Sequence, residues 1–122
     1  MTEPVRRIGP NERVEADPTP GMLREQAIES GGLWSGLVTT EPGMTSGWHH
    51  HGDHETSIYV VDGSMRMEFG PEGEQVVEAK AGDFLHVPPH TVHREGNPGV
   101  AASHLVVTRS GHGQVTVNVE AP

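Results

Sequence analysis

The sequence contains no cysteine and few cations, and each scarcity excludes a class of protein. Without a thiol the chain cannot form a disulfide, a thiolate zinc site, an iron–sulfur cluster or a cysteine nucleophile. Its 8 lysines and arginines are outnumbered by 17 aspartates and glutamates, which gives a formal charge of −9. This balance argues against a nucleic-acid partner, because phosphate neutralisation requires clustered basic residues.

Long apolar runs are also missing. No stretch of about 18 residues is apolar enough to suggest a transmembrane helix, and the N-terminus has no apolar signal core. We therefore expect no membrane partner and a cytoplasmic location. A chain of 122 residues is expected to form one domain.

The 16 glycines and 10 prolines indicate many turns, which favours short strands over long helices. Residues 22–30 are compatible with a short helix or a strand, and we favour the strand. The other predicted strands cover residues 33–40, 45–51, 57–61, 64–69, 75–79, 84–87, 102–109 and 114–119. This pattern predicts an all-β domain, built as an antiparallel sandwich, jelly roll or small barrel.

The first 20 residues differ in composition from the rest of the chain. Residues 1–20 are polar and proline-rich, so we interpret them as an N-terminal arm. The β-domain then spans residues 21–122. Within the arm, residues 5–8 could add an edge strand, including one that pairs with a partner subunit.

Histidines are concentrated in one segment. Residues 47–55 hold four of the nine histidines and two carboxylates. Side chains two apart on a strand share a face, so His49 and His51 should face together while His50 points away. A second polar cluster occupies residues 88–93. We predict that the two clusters close on one metal ion. Together they offer two or three imidazoles and one carboxylate, a set of ligands that suits Mn, Fe, Ni, Cu or Zn. The alternative is a solvated surface cluster of histidines.

The first cluster resembles the first motif of the cupin family. That motif consists of Gly, five residues, His-x-His, three or four residues, Glu and, further on, a second Gly. Residues 43–63 follow this order and place His49, His51 and Glu55 at the ligand positions.

The second cluster resembles the second cupin motif, in which Gly, Pro-x-Gly, His and Asn follow one another at short intervals. Residues 82–97 match it, with His93 as the histidine and Asn97 at the end. His90 stands where the motif usually has glycine. Two motifs in the correct order are a more specific signal than either alone, and the resemblance covers roughly residues 33–110.

The resemblance implies a cupin-type double-stranded β-helix, or jelly-roll barrel, that holds one divalent transition metal ion. The implied ligands are His49, His51, Glu55 and His93. An enzyme acting on a small molecule in the barrel is the favoured interpretation, with dioxygenase chemistry as the first hypothesis. A redox-neutral polyketide-type cyclase or isomerase is the second, and a non-catalytic metal-binding or small-molecule sensing module is the third. The resemblance also implies a homodimer.

The fourth ligand has two candidates. Counting back from Gly63 by the usual glutamate spacing of the motif reaches Thr56 instead of Glu55, and a shift of one residue reverses the face of a strand. We favour Glu55, with a local bulge restoring its direction. If Glu55 points away, His54 becomes the rival ligand, because it lies two residues before Thr56.

The candidate catalytic residues are proton carriers near the predicted metal. Glu55, when released from the metal, or His90 at the rim of the site could move a proton. Because His90 replaces a turn glycine, we expect an unusual backbone angle there. Arg94 and Glu95, which follow His93, are expected to form a structural ion pair with each other.

Overall fold

The computed structural model describes residues 3–111 and 116–122. Within these ranges, the chain forms a short 3₁₀-helix at Pro10–Glu12 and strands joined by tight turns. The strands are β1 (Val14–Thr19), β2 (Met22–Glu29), β3 (Leu33–Thr40), β4 (His49–His50), β5 (Thr56–Asp62), β6 (Ser64–Phe69), β7 (Gln75–Lys80), β8 (Phe84–Val87), β9 (His93–Gly96), β10 (Ser103–Ser110) and β11 (Val117–Asn118).

The strands form two antiparallel sheets. One has six strands in the order β1-β2-β3-β10-β5-β8, and the other has five in the order β11-β4-β9-β6-β7. Sequence neighbours such as β3 and β4 belong to different sheets, so the chain crosses between layers as in a jelly roll. The predicted all-β jelly-roll architecture is therefore confirmed. In the described ranges, no helix has the length and apolar character needed to cross a membrane.

The core lies between the sheets because each strand turns alternate side chains inward. In β3, Trp34, Val38 and Thr40 are buried, and in β6 the buried residues are Met65 and Met67. The remaining buried apolar residues are Met22, Ile58, Val60, Ala79, Val87, Leu105 and Val107. This small set agrees with the modest apolar content of the sequence.

Residues 64–69 and 84–87 form strands with the predicted bounds, and residues 22–29 form a strand instead of a helix. The segment 45–51 is more irregular than predicted. Only β4 and one isolated bridge, between Thr45 and Gly96, form there. The two backbone segments approach so closely at this bridge that a Cβ on Gly96 would clash with the Met44 carbonyl oxygen.

The N-terminal arm contributes to the domain. Its strand is β1, which pairs with β2 at the edge of the six-stranded sheet, and residues 5–8 form no strand. At the other end of the chain, β11 accounts for part of the predicted strand 114–119. Residues 114 and 115 of that prediction lie outside the described residues.

Candidate metal centre

Three histidines, from β4, from the residue just after it and from β9, meet inside the barrel. His49 begins β4 and is the cross-strand partner of His93 in β9. His51 follows two residues after His49, so both side chains point inward while His50 points away. One ligand atom from each of the three histidines lies within 4.8 Å of the others, and all three side chains are buried. The sequence-predicted pairing of the two clusters is therefore present in the fold.

Two of the three imidazoles are oriented by backbone carbonyls. The Nδ1 atom of His49 lies 2.8 Å from the Gly47 carbonyl oxygen, and Nδ1 of His93 lies 2.8 Å from that of Thr91. A carbonyl oxygen can only accept a hydrogen bond, so Nδ1 carries the proton in both rings. The Nε2 lone pairs are left available, which is the arrangement that metal-binding histidines commonly have. The donor set therefore fits a divalent transition metal.

The surroundings favour a neutral imidazole at His49, which is the protonation state that binds a metal. Burial is the main cause that lowers the pKa of His49, and the nearby His93 and Arg24 lower it further. Glu95 and the hydrogen bond to the Gly47 carbonyl act in the opposite direction. The net effect is a lowered pKa for His49, which favours the neutral imidazole with its proton on Nδ1.

The structure does not bring Glu55 to the three histidines. Its carboxylate lies on the exposed side of the barrel, where Oε2 is 2.9 Å from Nε2 of His86. The next residue, Thr56, begins β5, is 2% exposed and lines the cavity. No bulge restores the direction of Glu55, so strand alternation turns it outward. The residue at the usual glutamate spacing before Gly63 is thus a threonine.

His54 is also outside the group of three. Its backbone N–H donates to the His51 carbonyl, and its ring packs against Gly111, where an added Cβ would lie 3.1 Å from the ring. Its Nδ1 atom is buried and has no hydrogen-bond partner in the part of the chain that the structure describes. The structure therefore brings neither of the two predicted fourth ligands to the histidines.

His90 lies on the outer surface, not on the cavity wall. Its Nε2 atom is 2.6 Å from Oδ1 of Asp53, and its ring centroid is 6.3 Å from that of His50. The predicted unusual backbone angle is confirmed, with φ at 57°. Because His90 faces away from the cavity, its predicted role as a proton carrier has no geometric support.

The histidines open into a cavity of about 240 Å³ between the two sheets. Three charged side chains lie in its wall among the described residues, namely Arg24, Glu95 and Arg109. Apolar side chains such as Met22, Ile58, Met65, Val87, Leu105 and Val107 share the remaining wall with hydroxyl side chains such as Thr40, Thr56 and Ser103. The cavity is smaller than the roughly 300–1,000 Å³ of typical ligand pockets, so it suits a small molecule.

Glu95 lies in the cavity wall, a position that differs from the predicted ion pair with Arg94. The predicted ion pair with Arg94 does not form, because Arg94 points outward and its Nη2 atom lies 2.8 Å from Oε2 of Glu68. Glu95 lies two residues after His93, so it shares the inward face of β9. The alternation rule that paired His49 with His51 would have found it.

The comparisons with known proteins agree with this architecture. The sequence matches the cupin domain family over residues 36–109. The fold resembles KdgF from Halomonas sp., with a TM-score of 0.77, 24% identity and coverage of 90% of this chain and 96% of that one. It also resembles a conserved double-stranded β-helix protein from Klebsiella pneumoniae, with a TM-score of 0.76, 22% identity and coverage of 96% and 99%. At these identities the two likenesses establish the fold alone.

Two further similarities come from Bacillus subtilis. Oxalate decarboxylase, a protein with Mn(II) centres, aligns with a TM-score of 0.73 and 25% identity, over 84% of this chain and 29% of the decarboxylase. The uncharacterized protein YdbB of strain 168 is 36% identical over 47 residues, which is 38% of this chain and 40% of that protein. The chain therefore spans less than half of these two relatives.

Proposed function

This chain belongs to the cupin family, and we propose that it is a metal-dependent enzyme that acts on a small organic molecule inside the barrel cavity. The observation that carries the proposal is the position of Glu95. Its carboxylate lines the same cavity as the three clustered histidines without belonging to their group. A site with possible metal ligands and a separate acid–base group is equipped for more than metal storage.

His49, His51 and His93 would hold the metal ion, with Mn, Fe, Ni, Cu and Zn as the candidates. When bound, such an ion supplies Lewis acidity or redox chemistry. The Mn(II) centres of the structurally similar oxalate decarboxylase make Mn the first metal to test.

Glu95 would transfer the proton. Its position is supported by the backbone on both sides, since its N–H donates to the Ser46 hydroxyl at 3.0 Å and its carbonyl accepts from the Ser46 N–H at 2.7 Å. We propose that Glu95 removes a proton from carbon next to a substrate carbonyl. The C–H electron pair becomes a C=C bond while the carbonyl π pair moves onto oxygen, which gives an enolate, and Glu95 then returns the proton to a different atom of the substrate. This is a redox-neutral isomerisation.

Dioxygenase chemistry is the second candidate function. It is supported by the donor set, because three imidazoles and no carboxylate leave room for both a substrate and dioxygen on one ion. The redox-neutral alternative ranks first because dioxygen chemistry assigns no role to the inward carboxylate.

Metal content tests the foundation of the proposal. The purified protein should hold close to one transition metal ion per chain by elemental analysis, and His93→Ala should abolish it. His104→Ala is the matched control, because His104 lies on the surface with its Nδ1 atom 2.6 Å from Asp62 Oδ1. Retention of the metal by His93→Ala, or its loss from His104→Ala, would refute the assigned site.

Deuterium exchange separates the two chemistries. Metal-loaded protein is incubated anaerobically in D₂O with a panel of small carbonyl compounds, and proton NMR follows exchange at the carbon beside the carbonyl. Exchange that disappears in Glu95→Gln, with the metal content unchanged, supports proton transfer. Glu74→Gln, which alters an exposed glutamate, should exchange like the wild type. Dioxygen uptake that persists in Glu95→Gln would support the dioxygenase instead.

A further inference from the structure

Ser46 lies between two functional parts of the proposed site. It belongs to the irregular segment that precedes β4, and it lines the cavity together with His49 and Glu95. Two of its hydrogen bonds reach the backbone of Glu95, and a third reaches the Gly47 carbonyl that orients His49. One small polar residue therefore contacts the supports of both a candidate metal ligand and the candidate acid–base group.

The pairing of Ser46 with Glu95 departs from a regular β-ladder. The isolated bridge between Thr45 and Gly96 sets Ser46 opposite Glu95. In a hydrogen-bonded antiparallel pair, each residue donates its N–H to the carbonyl of the other. The Ser46 N–H does so, at 2.7 Å from the Glu95 carbonyl oxygen. The Glu95 N–H instead donates to the Ser46 hydroxyl at 3.0 Å, so a side chain replaces a backbone acceptor.

The Ser46 hydroxyl also donates a hydrogen bond. Because it accepts from the Glu95 N–H, its own hydrogen is free to point at the Gly47 carbonyl oxygen, which lies 3.0 Å away. The same carbonyl oxygen accepts from Nδ1 of His49 at 2.8 Å. A carbonyl oxygen has two lone pairs, so both bonds can form together. An unbroken series of hydrogen bonds therefore runs from the Glu95 backbone to the His49 ring.

This series of hydrogen bonds constrains the carboxylate relative to the metal site. The bond from Nδ1 to the Gly47 carbonyl fixes the orientation of the His49 ring and leaves its Nε2 lone pair available for a metal. The Glu95 side chain leaves β9 at the residue whose N–H the hydroxyl binds. Hydrogen bonds in series also strengthen one another. One oxygen atom therefore contributes to the position of both groups.

We propose that Ser46 is a positioning residue, whose hydroxyl sets the location of the Glu95 carboxylate relative to the metal-binding ring of His49. It acts through these two groups, because it binds the backbone of the proton-transferring residue and the carbonyl that orients the metal ligand. This inference rests on the proposed function, since it names the residue that aligns two parts of the same site.

Three variants test the hydroxyl. Ser46→Ala removes it and keeps the backbone bond to the Glu95 carbonyl, Ser46→Thr restores it, and Ser57→Ala is the control because Ser57 is exposed on β5. Heteronuclear NMR on Zn-loaded protein follows the Nδ1–H signal of His49 and the backbone N–H signal of Glu95. Both signals should shift in Ser46→Ala, return toward the wild-type positions in Ser46→Thr and stay in place in Ser57→Ala.

A paramagnetic metal measures where the carboxylate lies. The shift that Co(II) adds to a carbon signal, relative to Zn, depends on the distance and direction of that carbon from the ion. This added shift at Cδ of Glu95 should change in Ser46→Ala and recover in Ser46→Thr. Metal content should stay at the wild-type level, because His49, His51 and His93 remain. Deuterium exchange at the substrate carbon should slow roughly tenfold in Ser46→Ala, the rate equivalent of about one hydrogen bond.

An unchanged Glu95 Cδ signal in Ser46→Ala, or its failure to recover in Ser46→Thr, would overturn the proposal. Loss of the metal from Ser46→Ala would also overturn it, since the hydroxyl would then maintain the whole site instead of aligning two groups within it.

Elemental analysis of the same samples separates this failure from that of the proposed enzyme. A wild-type protein that takes up neither Zn nor Co would refute the metal enzyme. Joint shifts of the His49 and Glu95 N–H signals between metal-free wild type and metal-free Ser46→Ala would still support the link through the hydroxyl. Normal metal content with both signals indifferent to Ser46→Ala would refute the positioning role alone.

Discussion

Replacing Asn97 by alanine is expected to destabilise the protein strongly, although the residue does not line the cavity. The Asn97 side chain is 2% exposed and lies just beyond β9, the strand that carries His93 and Glu95. Its backbone also ties the two motifs together, because its carbonyl accepts from the Gly43 N–H at 2.8 Å. Loss of this side chain should therefore loosen the region that positions the histidines.

The magnitude follows from its hydrogen bonds. Nδ2 donates to the carbonyl oxygens of Thr40 at 3.0 Å and Ala101 at 2.8 Å, and Oδ1 accepts from the Gly99 N–H at 2.9 Å. Alanine removes all three bonds and leaves their backbone partners unpaired. At about 1 kcal/mol for each bond, the free energy of unfolding should fall by about 3 kcal/mol. For a domain of this size the corresponding decrease in melting temperature is roughly 10 °C.

Urea denaturation followed by circular dichroism would measure the change, with the slope of the transition checked so that it remains comparable to the wild type. Asn11→Ala is the matched control, because Asn11 lies exposed in the 3₁₀-helix. It should alter the free energy of unfolding by less than about 0.5 kcal/mol. A loss below about 1 kcal/mol in Asn97→Ala would refute the reasoning, since unpaired buried backbone groups should cost more.

Two further predictions concern the surface. His90→Gly should be more stable to urea than His90→Ala by about 1 kcal/mol, because both remove the imidazole but only glycine adopts a φ of 57° without strain; equal stability would contradict a strained backbone. The hydrogen bond from Arg94 is the main cause that lowers the pKa of Glu68 below 4.5. The ionised Glu68 carboxylate therefore stabilises the folded protein above pH 4.5, and this stabilisation is lost as the pH falls through the lowered pKa of Glu68. Urea melts should therefore find Glu68→Gln less stable than the wild type at neutral pH, with the difference shrinking in acid; a difference that grows in acid, or an equal loss in Glu78→Gln, would reverse this assignment.

The sequence alone predicted much of the candidate site. Inward placement of His49 and His51 followed from strand alternation, which depends only on local backbone geometry. The same rule, applied to His93, would have identified Glu95 as an inward residue. The partnership between the clusters was predicted from their metal-ligand residue types and strengthened by the cupin resemblance, and the cross-strand pair of His49 and His93 confirms that they meet.

Glu55 marks the limit of motif reasoning. The motif tolerates two spacings between the second histidine and the glutamate, so the order of residues did not determine where β5 begins. The strand begins at Thr56, and a difference of one residue decides which side chain enters the barrel. The exposed Glu55 then pairs with His86, a neighbour supplied by β8 through the sheet.

The sequence by itself determined the β class and the histidine pair, because turn residues and side-chain alternation act over a few residues. Only the tertiary structure decided which charged side chains line the cavity. Arg24, Glu95 and Arg109 lie far apart in the chain and meet because β2, β9 and β10 face one interior. Their convergence depends on strand order and on the packing of two sheets. These long-range pairings place two arginines and one carboxylate in the same cavity as the candidate metal ligands.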